Sequence, residues 1–565
     1  MVHARQTVIT NVMKAPQQMR VPMYQRRYAW KRPEWDALWD DIARLADDLK
    51  HNPHERHFMG SVVLTPVPGK ASSAMLVIDG QQRLITLSLL LAAIRDSDAD
   101  LSRGTRRRIG SCLQRPAKRG RPAQRLRLVP TQLDTDAFAR IMLGQEPEAG
   151  HHITRGYHHF ARRLRDLSED IDESVGGLTV DELTQAALDG LDCVQVTATP
   201  KDNVHRIFES LNNRGMELTQ ADLIRNYVFM QLNSEADDFH TFTWMPLEQR
   251  FSADELTQLF WLDLVRDRPT ITQRQTYVEQ QKRMHGMTAA EIRKHISRIS
   301  KLGEHWELIL HPEKESSIKV RRRLERLREW KTTTAQPILM YLLERRAQGK
   351  ADVHETARAM HYLESYFVRR VVMGRATMNM NRVLLAAPRA ISRSRLPVDQ
   401  ALRHYLSESG KHWASDDELR REVATKAFYN HGKSYQKTLI LKWIEESLSD
   451  MEYDLSEDLT IEHVMPQSLN PAWRAELKLG ARPGEDINML HGQLVHTLGN
   501  LTLTMRNSEL SNKSFDDKKR TLKKHGSGLK LTGEITKKAH WGPVEIRARS
   551  RLMVDRIIKT WPGPQ

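Results

Sequence analysis

Residues that could bind a metal and move a proton are concentrated near the C-terminus of the chain. Glu462 and His463 are adjacent, Asn500 follows later, and Asn507 and Asn512 come shortly after it. Carboxylate and amide oxygens are hard ligands of the kind that bind Mg²⁺. A neutral imidazole, with an ordinary pKa of about 6.5, can accept a proton from water at cellular pH. These residue types suit hydrolysis at a single divalent metal.

The surrounding pattern predicts the elements that must position these residues. Leu501, Leu503 and Met505 alternate with two threonines, which predicts a half-buried strand in a hairpin. Beyond Asn507, apolar residues among charged ones predict a surface helix through residues 516–519. The alternative is an ordinary surface Glu–His pair followed by asparagines in turns.

This C-terminal segment resembles the HNH, or ββα-metal, nuclease motif in the form found in GmrSD-type restriction enzymes. The resemblance rests on residues 461–468 (IEHVMPQS), residues 498–504 (LGNLTLT), Asn507 and residues 512–514 (NKS). The two cysteines, Cys112 and Cys193, lie far upstream, so the zinc knuckle of many HNH domains is excluded here.

The resemblance implies a role for each polar residue of the segment. His463 and Asn500 would be the catalytic pair, with His463 as the general base for an attacking water and Asn500 holding the His-bearing loop. Glu462 would be the acidic metal ligand, at a position where many HNH enzymes have Asp. Either Asn507 or Asn512 would complete the metal site, and spacing does not choose between them. The implied metal is Mg²⁺ or Mn²⁺, bound weakly.

The composition favours a cytoplasmic protein with a polyanionic partner. The chain has 565 residues, and 87 Lys and Arg against 71 Asp and Glu give it a formal charge of +16. Such an excess favours DNA or RNA. Two cysteines exclude a disulfide framework and fit a reducing compartment. The apolar run at residues 84–94 is too short to span a membrane, so no membrane partner is expected.

A second constellation lies at a predicted strand-to-helix turn near the N-terminus. Residues 58–64 and 75–78 predict strands, and an apolar helix follows from Leu84. The turn between them, residues 79–83 (DGQQR), would gather free backbone N–H groups at the positive end of the helix dipole, which suits an anion. Arg83 adds a forked donor for phosphate oxygens. The alternative is that the turn binds nothing, as many such turns do.

The turn is one of several runs that resemble the N-terminal domain of the same GmrSD family, at residues 25–30, 58–61, 79–83, 207–215 and 218–226. That domain is similar to the ParB/sulfiredoxin fold, in which a Gly-x-x-Arg turn lies against nucleotide phosphates. The resemblance implies a nucleotide pocket, for an NTP whose base is left open. Its candidate residues are Asp79, Gly80, Gln81, Gln82 and Arg83 and, more weakly, Gln25, Arg26, Asn212 and Arg214.

Three other segments are strongly basic. Residues 103–127 contain Gly and Pro, which predict an irregular loop that either binds DNA phosphates or is merely solvated. Residues 319–328 lie in a region predicted to be helical, and we expect them to form a solvated face rather than to contact DNA. For residues 518–538, duplex binding and a solvated tail stay equally open.

These observations predict a mainly α fold with α/β parts, in about three regions. Residues 1–235 would form a ParB/sulfiredoxin-like, NTP-binding and DNA-sensing domain, residues 236–445 a helical connection, and residues 446–565 an HNH-like nuclease domain.

The expected function is an NTP-regulated, metal-dependent endonuclease for double-stranded DNA in phage defence. It would nick or cut modified phage or host DNA, such as glucosylated or phosphorothioated DNA. The alternative is a ParB-like, nucleotide-switched DNA-binding NTPase with an inactive nuclease domain. Assembly into a homo-oligomer is left open.

Overall fold

The computed structural model of the chain describes residues 3–23, 25, 27–67, 74–116, 125–169, 177–197, 219–232, 236–375, 379–448, 459–505, 507–525 and 528–565. The chain divides into two compact units. The first comprises residues 1–257 and 277–295, and the second comprises residues 258–276 and 296–565. Helices predominate in the described residues, and a mixed sheet gives the α/β part, as the sequence predicts.

The first unit contains a mixed six-stranded sheet with the order β1-β6-β3-β4-β2-β5. Its strands are β1 (His3–Val8), β2 (Gln18–Arg20), β3 (His57–Pro66), β4 (Ala74–Asp79), β5 (Leu128–Val129) and β6 (Leu191–Thr197). β1 is antiparallel to β6 and β3 is antiparallel to β4, whereas the other neighbours are parallel. The strands predicted at residues 58–64 and 75–78 are confirmed as β3 and β4.

Helices of the first unit carry most of its core. They are Ile9–Met13, Arg32–His51, Gln81–Asp96, Arg103–Leu113, Gln132–Met142, His152–Ser168, Val180–Gln185, Gln220–Leu232, Ala236–Phe239 and Met245–Arg250. The helix Gln81–Asp96 is buried at every position from Leu84 to Ile94. A helix that is apolar all round belongs inside a core, so the apolar run beginning at Leu84 is a core helix.

Part of the basic segment 103–127 is regular, so the prediction of an irregular loop is wrong for residues 103–113. They form a helix whose N-cap, Ser102, accepts a hydrogen bond from the Thr105 backbone N–H at 3.0 Å. Ile109, Cys112 and Leu113 are buried on one face of this helix. Packing of an apolar face outweighs the roughly 1 kcal/mol that a helical glycine costs. Residues 117–124 lie outside the described residues.

The second unit is helical around one small strand pair. Its helices are Ile318–Glu329, Gln336–Ala347, Val353–Val372, Met380–Ser392, Val398–Ser407, Asp416–Glu422, Ser434–Leu448, Pro471–Gly480, Ile487–Leu494, Asn507–Leu510, Phe515–His525, Lys530–Thr536 and Pro543–Thr560. Three further helices, Ala253–Val265, Thr276–Met284 and Ala289–Leu310, include the points where the chain passes between units. None of the helices in the described ranges combines the length and apolar character needed to cross a bilayer.

The helix Ile318–Glu329 is only in part the solvated basic face that the sequence predicts, because Lys319, Arg322 and Arg328 are exposed but other arginines turn inward. Arg326 is only 8% exposed, and Glu364 on the helix Val353–Val372 is 2% exposed. Arg323 and Arg326 each donate to one carboxylate oxygen of Glu364, at 2.7 and 2.9 Å, and the Trp561 indole N–H donates at 2.6 Å. These arginines therefore neutralise a buried carboxylate.

Candidate active site

In the second unit, the candidate catalytic residue His463 lies on a two-stranded antiparallel ribbon. β7 (Thr460–His463) pairs with β8 (Leu501–Thr504), so that Glu462 faces Thr502 and His463 faces Leu501. The predicted half-buried strand is wrong in one respect, because all four residues of β8 are buried. The face of β8 that was expected to be exposed is covered by the helix Lys530–Thr536. Thr502 on that face shares a hydrogen bond of 3.1 Å with Thr532 of the helix. Met505, predicted to continue the buried face, is 55% exposed.

Asn500 braces the loop that follows His463. Its amide oxygen accepts from the Met465 backbone N–H at 2.8 Å, and its amide nitrogen donates to the Met465 carbonyl at 2.8 Å. The same side chain donates to the Val495 carbonyl and accepts from the Trp541 indole, at 2.8 and 3.1 Å. With its oxygen and nitrogen both bonded inside the fold, Asn500 fixes the loop two residues beyond His463.

His463 is buried and therefore kept neutral. Its side chain lies at the end of β7 and is 7% exposed. Burial, with smaller contributions from His496, Lys518 and Lys437, lowers the pKa of His463 to about 4. An imidazole in this environment is unprotonated at neutral pH and has a lone pair for a proton.

Three neighbours of His463 were missed by sequence reasoning. His463 Nε2 lies 3.2 Å from His496 Nδ1. The Tyr429 ring stacks on His496, with centroids 5.6 Å apart, and meets His463 edge-on at 4.4 Å. Lys437 Nζ lies 4.5 Å from the Tyr429 ring centroid. Tyr429 and Lys437 belong to the region predicted as a helical connection, and nothing in their local sequence marks them.

Glu445, which precedes β7 in the chain, caps the helix Lys530–Thr536 that covers β8. The Glu445 carboxylate accepts hydrogen bonds from the backbone N–H groups of Lys530 and Leu531, at the start of the helix Lys530–Thr536. A carboxylate there satisfies unpaired N–H groups and complements the helix dipole. Glu445 therefore holds the helix that covers β8.

Glu462 is part of a buried ion pair. It is 4% exposed and Lys518 is fully buried, although the sequence placed Lys518 in a basic surface segment. Lys518 Nζ lies 2.5 Å from Glu462 Oε1 and donates to the His463 carbonyl at 2.8 Å. Burial raises the pKa of Glu462 and lowers the pKa of Lys518, and the mutual attraction only partly offsets this.

The two candidate asparagines lie in different surroundings. The Asn507 amide nitrogen donates to the Ile461 carbonyl at 3.1 Å, next to Glu462 on β7. The backbone carbonyl of Asn512 instead accepts from Asn470 at 2.8 Å. Asn507 is thus the one whose side chain contacts the strand that carries Glu462.

Glu462 and Asn507 offer oxygen donors of the kind that bind a hard divalent cation, but two side chains are few for a metal site. Lys518 bonds Oε1 of Glu462, which leaves Oε2 for a metal, and the Asn507 amide is bonded through its nitrogen, which leaves its oxygen. Within the described ranges, no group of three or more His, Cys, Asp or Glu side chains is placed to hold a metal. Water would have to supply most of the ligands, as is usual for Mg²⁺.

In the first unit, Arg83 of the turn after β4 points towards the backbone of β3. Gly80 caps the helix Gln81–Asp96 with φ of +92°. Arg83 Nη1 donates to the carbonyls of Met59 and Ser61 at 2.9 and 2.7 Å, and Nη2 lies 3.2 Å from Asp79 Oδ2. Arg83 therefore ties the turn to β3, an arrangement that the sequence does not reveal.

The glutamines of the predicted nucleotide pocket are buried. Gln25 donates to the Ile78 carbonyl at 3.2 Å. Gln82 accepts from the Ala29 N–H at 2.8 Å and donates to the Arg27 carbonyl at 3.1 Å, and Gln81 is 6% exposed. Asp79, Gly80, Gln81, Gln82, Arg83 and Gln25 are thus brought to one end of β4. Arg26, Asn212 and Arg214 lie outside the described residues.

Replacing Gly80 with alanine is expected to destabilise the first unit. A Cβ there would lie 3.1 Å from Val62 Cγ2 and 3.2 Å from the Ser61 carbonyl oxygen, in a left-handed conformation that side chains disfavour. We expect the free energy of unfolding to fall by about 1–3 kcal/mol. Thermal unfolding measures the change.

Gly110→Ala is the matched control for this glycine. It lies in the helix Arg103–Leu113, and an added Cβ meets nothing within 4 Å. We expect a gain of about 0.4–1 kcal/mol. Equal effects from both substitutions would contradict the account of the turn.

Two segments of the chain, one in each unit, match models of known protein families. Residues 9–229 match the family model of the GmrSD restriction endonuclease N-terminal domain, and residues 413–556 match that of the GmrSD restriction endonuclease C-terminal domain. A search of curated proteins finds no match. The two models cover more than half of the chain and define a restriction endonuclease, an enzyme of phage defence whose substrate is DNA. The chain belongs to the GmrSD restriction endonuclease family.

Proposed function

We propose that the chain is an NTP-regulated, metal-dependent DNA endonuclease in which His463 is the general base. The observation that carries the proposal is the convergence of distant residues on the segment 461–465. Asn500 bonds Met465, Asn507 bonds Ile461, and Lys518 bonds both Glu462 and His463. These bonds fix the backbone of the segment that carries the neutral imidazole of His463 and the carboxylate of Glu462, the two groups that HNH-type hydrolysis requires.

In the proposed reaction, a water oxygen attacks the phosphorus of a phosphodiester while His463 takes one proton of that water. A new P–O bond forms, the bond from phosphorus to the 3′-oxygen breaks, and the leaving oxygen takes a proton from solvent. Glu462 and Asn507 would hold the metal, with Asn512 as the less favoured ligand. A bound Mg²⁺ or Mn²⁺ supplies charge stabilisation for the phosphate and the leaving oxygen.

The nucleotide would bind at the turn after β4 in the first unit. The turn offers the N–H groups that begin the helix Gln81–Asp96. Because Arg83 is bonded to β3, its proposed contribution is to shape the turn as well as to contact phosphate. Sensing of modified phage or host DNA is assigned to this same unit.

Cleavage of a DNA panel tests the nuclease assignment. The purified chain is incubated in Mg²⁺, with each NTP in turn, with supercoiled plasmid and with glucosylated, hydroxymethylated or phosphorothioated DNA. Nicked and linear products are scored. We expect His463→Ala to lower the cleavage rate by about 10²–10⁴-fold. His540→Ala, at a histidine that is 60% exposed in the same unit, should leave it unchanged.

The outcomes separate the two candidate functions. Cleavage that survives His463→Ala would refute the general base. Intact NTP hydrolysis with no cleavage of any DNA would favour the nucleotide-switched DNA-binding NTPase with an inactive nuclease domain. One observation favours that alternative, because Lys518 already neutralises the carboxylate proposed to bind metal.

A further inference from the structure

His496 places a ring nitrogen within hydrogen-bonding distance of the His463 ring. Their nitrogens, His463 Nε2 and His496 Nδ1, lie 3.2 Å apart, and the ring planes meet at 78°. This is the geometry of a hydrogen bond in which the N–H of one ring points at the lone pair of the other. A bond between two neutral imidazoles needs one donor and one acceptor, so the pair restricts both tautomers.

We infer that His496 is a positioning residue that accepts the Nε2–H of His463 and so keeps the lone pair of His463 on Nδ1. The inference rests on the proposed nuclease function, in which that lone pair takes the proton of water. With Nε2 committed to His496, Nδ1 is the ring nitrogen left to act as base.

A third side chain supports this direction of the bond. Gln467 Nε2 lies 3.5 Å from His463 Nδ1, at the long limit of hydrogen bonding. An amide nitrogen donates and never accepts, so its approach favours a lone pair, and not a proton, on Nδ1. With the lone pair on Nδ1, His463 Nε2 carries the hydrogen and His496 Nδ1 accepts it.

The surroundings of His496 keep its Nδ1 available as an acceptor. Tyr429 stacks on the ring at an interplanar angle of 12°, and the Tyr429 N–H donates to the His496 carbonyl at 3.0 Å, which fixes the ring and its backbone. Burial, then His491 and Lys437, lower the pKa of His496. A neutral His496 can accept at Nδ1, and it would stabilise the imidazolium that forms when His463 takes a proton.

Two variants separate a positioning role from a structural one. His496→Phe keeps an aromatic ring against Tyr429 but removes the acceptor. His496→Asn places an amide oxygen near the position of Nδ1 and restores an acceptor. We expect His496→Phe to lower kcat by about 10–100-fold with little change in KM for DNA, as loss of a histidine-orienting partner does elsewhere. His496→Asn should recover most of that loss.

Nitrogen NMR of histidine-labelled protein reads the tautomer without any turnover. The signals of His463, one of 24 histidines, are identified by their loss in His463→Ala. In the wild type and in His496→Asn, Nε2 should be protonated and Nδ1 unprotonated. In His496→Phe the single-tautomer pattern should be lost.

Any one of three results would overturn the inference. The first is an unchanged kcat in His496→Phe, and the second is an equal loss of kcat in His496→Phe and His496→Asn. The third is an NMR spectrum in which His463 of the wild type is protonated on Nδ1. Adding His496→Phe to His463→Ala should cause no further loss, because the first residue acts through the second. Failure of the nuclease proposal is distinguishable, since it would appear as a wild type without cleavage or as cleavage that survives His463→Ala.

Discussion

Replacing Lys518 with methionine is expected to lower the free energy of unfolding by about 3–5 kcal/mol, because it leaves the Glu462 charge buried without a partner. Lys518 is fully buried, and its ammonium is 2.5 Å from Glu462 Oε1. The same change removes the donor to the His463 carbonyl, so DNA cleavage should fall as well. Urea unfolding and the plasmid assay measure the two effects.

A double variant separates the structural role of Glu462 from its role as a metal ligand. Lys518→Met combined with Glu462→Gln removes both charges and should recover much of the lost stability. If Glu462 binds the metal, this folded double variant should cleave DNA less than Lys518→Met alone, which has lost the same donor to the His463 carbonyl. Equal cleavage by the two variants would show instead that Glu462 serves only to pair with Lys518. Lys523→Met, an exposed position on the same helix, is the control and should change stability by about 0.5 kcal/mol or less.

Replacing Glu364 with glutamine is expected to destabilise the second unit by about 3 kcal/mol, since Arg323 and Arg326 lose the carboxylate they share, while Arg326 keeps its contact with Glu446 at 2.7 Å. Burial raises the pKa of Glu364, but the nearby arginines more than offset this and bring the pKa to about 2. Because the folded pKa lies below the unfolded value, this carboxylate stabilises the fold fully above about pH 4.5. That stabilisation is lost as the pH falls towards 2.

The pH dependence of unfolding tests this account. Between pH 5 and pH 2, Glu364→Gln should lose less stability than the wild type by about 3 kcal/mol. Glu313→Gln is the matched control, because Glu313 is 58% exposed and pairs with the exposed Arg328. The pH profile of Glu313→Gln should run close to that of the wild type. Parallel pH profiles for wild type and Glu364→Gln would contradict the assignment.

Local patterns in the sequence predicted the local structure well. The strands at residues 58–64 and 75–78, the apolar helix through Leu84 and the helical region from residue 236 are confirmed. The positions of Asn500 before β8 and of the Asp79–Arg83 turn before a core helix also follow from the pattern. Apolar periodicity and turn residues report burial and chain reversal within about ten residues, which is the range of these elements.

What the sequence could not reveal is which partner each charged or polar group takes. Arg83 turns towards the carbonyls of β3, Arg326 neutralises Glu364, and Lys518 is buried against Glu462. Each partner is distant along the chain, and a basic run looks the same whether it is solvated or paired. For the same reason His496 and Tyr429 carried no recognisable signal, since their role depends on the ring of His463 beside them.

The contacts made by Tyr429, Lys437 and Glu445 bear on how relatives of this enzyme can exchange parts. These residues precede β7, yet Tyr429 stacks on the ring of His496, Lys437 lies over the Tyr429 ring, and Glu445 caps the helix that covers β8. A recombination breakpoint placed just before β7 would combine His463 and His496 from one relative with Tyr429 and the helix cap Glu445 from another. The smallest segment that can pass intact between lineages therefore begins upstream of Tyr429, and selection should keep that whole stretch together.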